Sequence, residues 1–141
     1  HGVQNFRINS MMSHEANAHL NASKLLPSYS EIIPYLKKAL NIQGVSISFG
    51  DFPFCILEKI SIDNAGEMFN KYETETVSYD YYKGKMEKVN FNWSEKKVKS
   101  LKNKLDICTG CRYYSVCEGI WTSYLELYGE NEFRRIKNAE D

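Results

Sequence analysis

Cys55, Cys108, Cys111 and Cys117 are the residues of this 141-residue chain whose type and spacing could do chemistry. The last three form a Cys-x2-Cys-x5-Cys run. The x2 step lets a single turn aim two thiolates at one centre, and the x5 step lets the chain wrap round and add a third. Thr109, Gly110 and Ser115 are small or turn-forming, which suits a tight loop around an inorganic core. Cys55 is remote in sequence and could complete a set of four. Four thiolates are the usual set for a 4Fe–4S cluster and also for structural zinc. Two disulfides, in any of three pairings, or four unligated thiols are the remaining readings. The compact spacing argues against coincidence. Cys55 has no nearby second cysteine, which argues against the paired Cys-x2-Cys knuckles of zinc ribbons. One 4Fe–4S cluster is therefore the favoured cofactor, with Zn the alternative.

Composition narrows the setting. Eighteen basic residues balance eighteen acidic ones, so nothing points to a nucleic-acid or anionic-membrane partner. Five lysines between Glu95 and Lys104 read as a solvated helix face rather than a phosphate-binding patch. No apolar run approaches the ~20 residues that span a bilayer, and no signal-peptide layout is visible. A cytoplasmic location is the expectation, and in that compartment cysteines serve as ligands or free thiols more often than as disulfides.

The elements that must position the cysteines can be read from periodicity. Residues 5–9 alternate and predict a strand, followed over 10–24 by a polar loop with one helical turn at most. Tyr29, Ile32, Ile33, Leu36 and Leu40 follow a helical stripe. Ser28 and Glu31 have capping-box spacing, and Pro34 argues for a start nearer Ser30. Residues 44–49 predict a second strand, so that strand, helix and strand form an α/β crossover unit. Pro53 restricts Phe52 to extended geometry on the way to Cys55. Residues 74–82 and 86–93 predict a β-hairpin around Lys83, Gly84 and Lys85. A helix over 94–105 is expected next, with Ser94 as its cap, a Trp93–Val98 staple, and Val98, Leu101 and Leu105 buried. A last helix over 119–128 carries Ile120, Trp121, Tyr124, Leu125 and Tyr128 on one face and stops at Gly129.

The run Cys108-x2-Cys111-x5-Cys117 followed by Glu118-Gly119-Ile120 resembles the C-terminal auxiliary-cluster region of radical S-adenosylmethionine (radical SAM) enzymes. So does the stretch from Tyr124 to Phe133. Phe52-Pro53-Phe54-Cys55 is similar to the Pro-x-Cys that ends the partial barrel of such enzymes. SPASM domains, which hold two clusters, carry a further cysteine three residues on, where this chain has Trp121. With four cysteines in all, the resemblance is to the single-cluster twitch type. It implies an α/β (α+β overall) chain. Residues 1–56 would be the last strand–helix–strand unit of a partial (β/α) barrel, and 57–141 a twitch-like module of hairpin and helices. It also implies Cys55 as fourth ligand and an oxidoreductase that binds a peptide or small-molecule substrate.

The Cys-x3-Cys-x2-Cys motif that would hold the S-adenosylmethionine-cleaving cluster does not occur in this sequence; the cysteine intervals are 53, 3 and 6. The chain is therefore not expected to be catalytic alone. Its expected partner is an N-terminal radical SAM barrel ahead of residue 1, and S-adenosylmethionine would bind only to the longer enzyme. Asn9, at the C-terminal end of a strand, is the candidate cofactor contact at the barrel mouth. His14 and His19 read as exposed loop residues.

Overall fold

The computed structural model describes residues 2–13, 16–60, 75–82 and 85–137. It is a mixed α+β structure holding three two-stranded sheets among the described residues. Strand β1 (Asn5–Asn9) leads through two short helices, α1 (Ala16–Leu20) and α2 (Ala22–Leu25), into α3 (Tyr29–Leu40). The 10–24 segment is thus more helical than its polar composition suggests. Strand β2 (Ser46–Gly50) follows and pairs parallel with β1, Asn5 opposite Ser46 and Asn9 opposite Gly50. This is the expected crossover unit, since a parallel partner requires a return connection.

Helix α3 begins at Tyr29 because Ser28 completes a capping box: its hydroxyl accepts from the Glu31 N–H while the Glu31 carboxylate accepts from the Ser28 N–H. This places Pro34 inside the helix, one residue deeper than a start at Ser30 would. The two remaining free N–H groups of the first turn are also satisfied. The Tyr29 N–H donates to the Tyr124 hydroxyl at 2.6 Å and the Ser30 N–H to Glu132 at 2.7 Å. A helix start buried by distant parts of the chain needs such partners.

After β2 the chain turns at Asp51, whose φ is +65°, and enters α4 (Phe54–Lys59) with Pro53 as its extended cap. The hairpin forms as predicted, β3 (Glu75–Tyr82) antiparallel to β4 (Lys85–Asn92). Thr74 and the Lys83-Gly84 connection lie outside the described residues, while Lys85 belongs to the strand.

The helix expected over 94–105 is a correction. Helix α5 (Trp93–Lys96) is capped by Asn92, whose side chain accepts from the Glu95 N–H at 2.9 Å, and not by Ser94. It continues only as a π-helical turn, Lys97–Leu101, and gives way to β5 (Lys102–Asn103). Val98 is exposed rather than buried, while Leu101 and Leu105 are buried as expected. A 3-10 turn, Asp106–Cys108, opens the cysteine loop. Strand β6 (Ile120–Trp121) closes the loop by pairing antiparallel with β5. The last helix, α6 (Thr122–Tyr128), is shorter than 119–128 because Ile120 and Trp121 are strand, and it ends at Gly129 with φ +66°.

One hydrophobic core joins Leu26, Tyr29, Phe49, Phe52 and Leu57 to Leu101, Ile120, Trp121, Tyr124 and Phe133. Tyr29 is its centre. It stacks on Tyr124 at 4.1 Å between ring centres and meets Phe52 and Phe133 at 5.8 and 5.9 Å. Offset and edge contacts of this kind add to the burial of large rings. The α/β unit and the C-terminal region are packed through these rings.

Candidate metal centre

Each cysteine is placed by a different local device. Cys55 is the second residue of α4, between Phe54 and Ile56, both buried; the apolar face of that short helix holds it against the core. Cys108 ends the 3-10 turn. From there the chain advances by successive tight turns. The N–H of Cys111 donates to the Cys108 carbonyl at 2.9 Å, that of Tyr114 to the Cys111 carbonyl at 2.9 Å, and that of Cys117 to the Tyr113 carbonyl at 2.8 Å. Gly110, with φ +73°, supplies the one left-handed step between the first two thiols. The loop is then tied down at its middle, where the Arg112 N–H donates to the Ile136 carbonyl at 2.9 Å. Tyr113 stacks on Phe54 at 4.7 Å, so an aromatic pair bridges the two stretches that carry the thiols.

The result is that Cys55, Cys108, Cys111 and Cys117 all line one open recess. All four are free and half-buried. Burial pushes the Cys55 thiol up to about 11, and the neighbouring Cys117 and Cys108 add to the rise, while a main-chain hydrogen bond from Arg134 and the charge of Lys59 oppose it. Cys108 is raised for the same first reason, burial, with Cys117 and Cys111 contributing and Lys104 opposing. Cys55 and Cys108 thus resist ionisation, and a metal that binds them must displace their protons. Among the described residues, no group of three or more His, Cys, Asp or Glu side chains is arranged to hold a metal ion.

A second cluster, which the sequence did not suggest, braces the recess. Lys102 has a side chain only 1% exposed. Its ammonium donates to Asp51 at 3.2 Å and to Glu118 at 2.8 Å and lies 4.4 Å above the Trp121 ring. Lys97 bridges the same two carboxylates at 3.1 and 2.7 Å. Burial raises the Asp51 carboxyl, but Lys102 and then Lys97 outweigh it and hold the group below its ordinary value. Glu118 follows Cys117 directly, and Asp51 stands at the end of β2. The network therefore fixes the exit of the cysteine loop to the approach of Cys55. The lysine run was expected to be a solvated face; two of its five members point inward because the π-turn and β5 replace a continuous helix. No periodicity signal marks that change.

The other candidates lie elsewhere. Asn9 ends β1 opposite Gly50, and its side chain accepts from the Arg7 guanidinium at 3.0 Å; it does not line the cysteine recess. His19 is exposed, as expected, but sits on α1, its ring nitrogen 3.3 Å from the Ser13 carbonyl. His14 lies outside the described residues. Among the described residues, no helix is long and apolar enough to cross a membrane.

No protein-family model, curated protein or solved structure matches this chain.

Proposed function

We propose that this chain binds one 4Fe–4S cluster through Cys55, Cys108, Cys111 and Cys117, and that it is the C-terminal, twitch-like auxiliary-cluster region of a radical SAM oxidoreductase. The observation that carries the first half is the convergence of four free cysteines, one of them 53 residues from the next, on a single apolar recess. The donor set fits the group: four thiolates complete a 4Fe–4S cluster.

The second half rests on the resemblance of the cysteine segment and on the β1–α3–β2 unit, which is what the last strand–helix–strand of a partial barrel would be. On this reading Asn9 contacts cofactor at the barrel mouth, away from the recess. The substrate, peptide or small molecule, and S-adenosylmethionine belong to the longer enzyme, in the cytoplasm. A cluster held by four cysteines has no open iron, so its role here is electron relay or bracing rather than substrate ligation.

Anaerobic reconstitution tests the site. We expect about four irons and four sulfides per chain, lost together in Cys111→Ala. Cys55→Ala is expected to lower cluster content and the melting temperature of the loaded protein. Tight uptake of one zinc, with no iron–sulfur species formed, would falsify the cluster reading.

A further inference from the structure

Two cations line the cysteine recess, Lys104 and Arg134. Their surroundings differ. The Arg134 guanidinium is paired with the Glu58 carboxylate at 2.9 Å, so that site carries little net charge. The Lys104 ammonium is held differently. It donates to the Tyr114 main-chain carbonyl at 2.5 Å and lies 4.4 Å from the centre of the Tyr114 ring. Among the described residues it has no carboxylate partner. Its side chain is half-buried, and it is anchored at both ends: Lys104 directly follows β5, while Tyr114 lies in the turn between Cys111 and Cys117. The charge is thus held at the rim of the recess that the four thiols line. The other two half-buried or buried lysines of the run, Lys97 and Lys102, are neutralised by Asp51 and Glu118.

We propose that Lys104 is a potential-setting residue of this site: its ammonium, pinned by Tyr114, makes a cluster bound by the four cysteines easier to reduce. The inference rests on the cluster reading above. The physical reason is electrostatic. Taking up one electron adds one negative charge to a centre that four thiolates already make negative, and a fixed neighbouring cation stabilises the reduced form more than the oxidised one. Net charge, hydrogen bonding to sulfur and exposure are the levers by which a protein sets such a potential. A charge near the surface but held in place acts at an effective dielectric well below that of water. The Arg134–Glu58 pair cannot act this way, because its two charges oppose each other.

The experiment uses the full chain, reconstituted anaerobically and titrated with a one-electron chemical reductant while the cluster spectrum is followed. Lys104→Gln is expected to move the midpoint to more negative potential at unchanged iron and sulfide content. Lys104→Arg, which keeps the charge, is expected to stay near the wild type. Lys99→Gln removes the same charge from a side chain 70% exposed and outside the recess, and is expected to leave the midpoint where it was. Tyr114→Leu keeps the ammonium but removes the ring beneath it, and is expected to give a smaller shift of the same sign; this variant decides the matter if Lys104→Gln does not load. A midpoint unchanged in loaded Lys104→Gln, or Lys104→Arg shifting as far as Lys104→Gln, overturns the inference alone. A wild-type chain that takes up no iron and sulfide overturns the cluster reading and this inference with it.

Discussion

Lys102 shows at the scale of one residue how this site is held. An ammonium taken out of water is tolerated only where charge and hydrogen bonds replace its hydration. Here Asp51, Glu118 and the face of Trp121 do so. Replacing Lys102 by methionine keeps the apolar stem and leaves two carboxylates sharing Lys97 alone. We expect a loss of about 3 kcal/mol in urea unfolding, the range for breaking one side of a buried pair. Lys99, by contrast, pairs with Glu95 across an exposed turn of α5 and its continuation, where solvent screens the interaction. Lys99→Ala should leave the urea midpoint unchanged, and equal losses at the two positions would refute the account. The two lysines are indistinguishable by type and neighbours in sequence; the path of the main chain after Leu101 separates them.

At the scale of the element, the cysteine loop is a closed unit. Strands β5 and β6 pair Lys102 with Trp121 and Asn103 with Ile120, so the chain leaves and re-enters the core at adjacent points. Gly119 makes this crossing possible. Its φ is +99°, and a Cβ there would stand 2.5 Å from the Asn103 carbonyl oxygen. Gly119→Ala must strain the backbone and push against main chain at once. We expect a cost of about 1–3 kcal/mol, read as a lowered melting temperature, whereas the same change at Gly2, with nothing within 4 Å of its Cβ position, should cost nothing measurable.

Between the closing strands the loop has few apolar anchors; Ile107, Tyr114 and Val116 are exposed. Its order should therefore depend on the metal centre, as coupled binding and ordering requires. Hydrogen exchange over residues 106–119 should slow markedly on reconstitution while α3 and α6 change little. Equal protection in both states would count against the site.

For the whole molecule the decisive contact is between the start of α3 and the segment after α6. Glu132 accepts from the Ser30 main chain at 2.7 Å and also from the Ser30 and Tyr124 hydroxyls. Its own carbonyl accepts from Lys59 at 2.6 Å. Burial raises this carboxyl, but the Ser30 and Tyr124 hydrogen bonds outweigh it, so it lies below the ordinary 4.5; Asp51 lies below the ordinary 3.8. Both groups have a folded pKa lower than the unfolded one, so each contributes stability that is complete above the ordinary value and is lost as pH falls through the depressed one. The melting temperature should hold from neutrality to about pH 5 and fall steeply below about pH 4. Glu132→Gln should start from a lower melting temperature and fall less. A melting temperature flat down to pH 2.5 would contradict this assignment.

What the sequence by itself determined is local. The helix stripe from Tyr29 to Leu40, its Ser28–Glu31 cap, the alternation of β1 and β2, the hairpin, and the stop at Gly129 are all written in short-range periodicity and turn chemistry, which act within a few residues. The identity of four cysteines as a candidate set was legible as well, though the case for Cys55 rested on a family resemblance more than on spacing. The tertiary structure decided what depends on chain segments far apart: that Cys55 lies on a short helix facing the same recess as the loop thiols, that a π-turn ends α5 early and turns Lys97 and Lys102 inward, and that Ile120 and Trp121 pair as strand before α6 begins. The physical reason is that burial is a property of the assembled core. A lysine or a cysteine carries no local mark of whether distant aromatic rings and carboxylates will close over it.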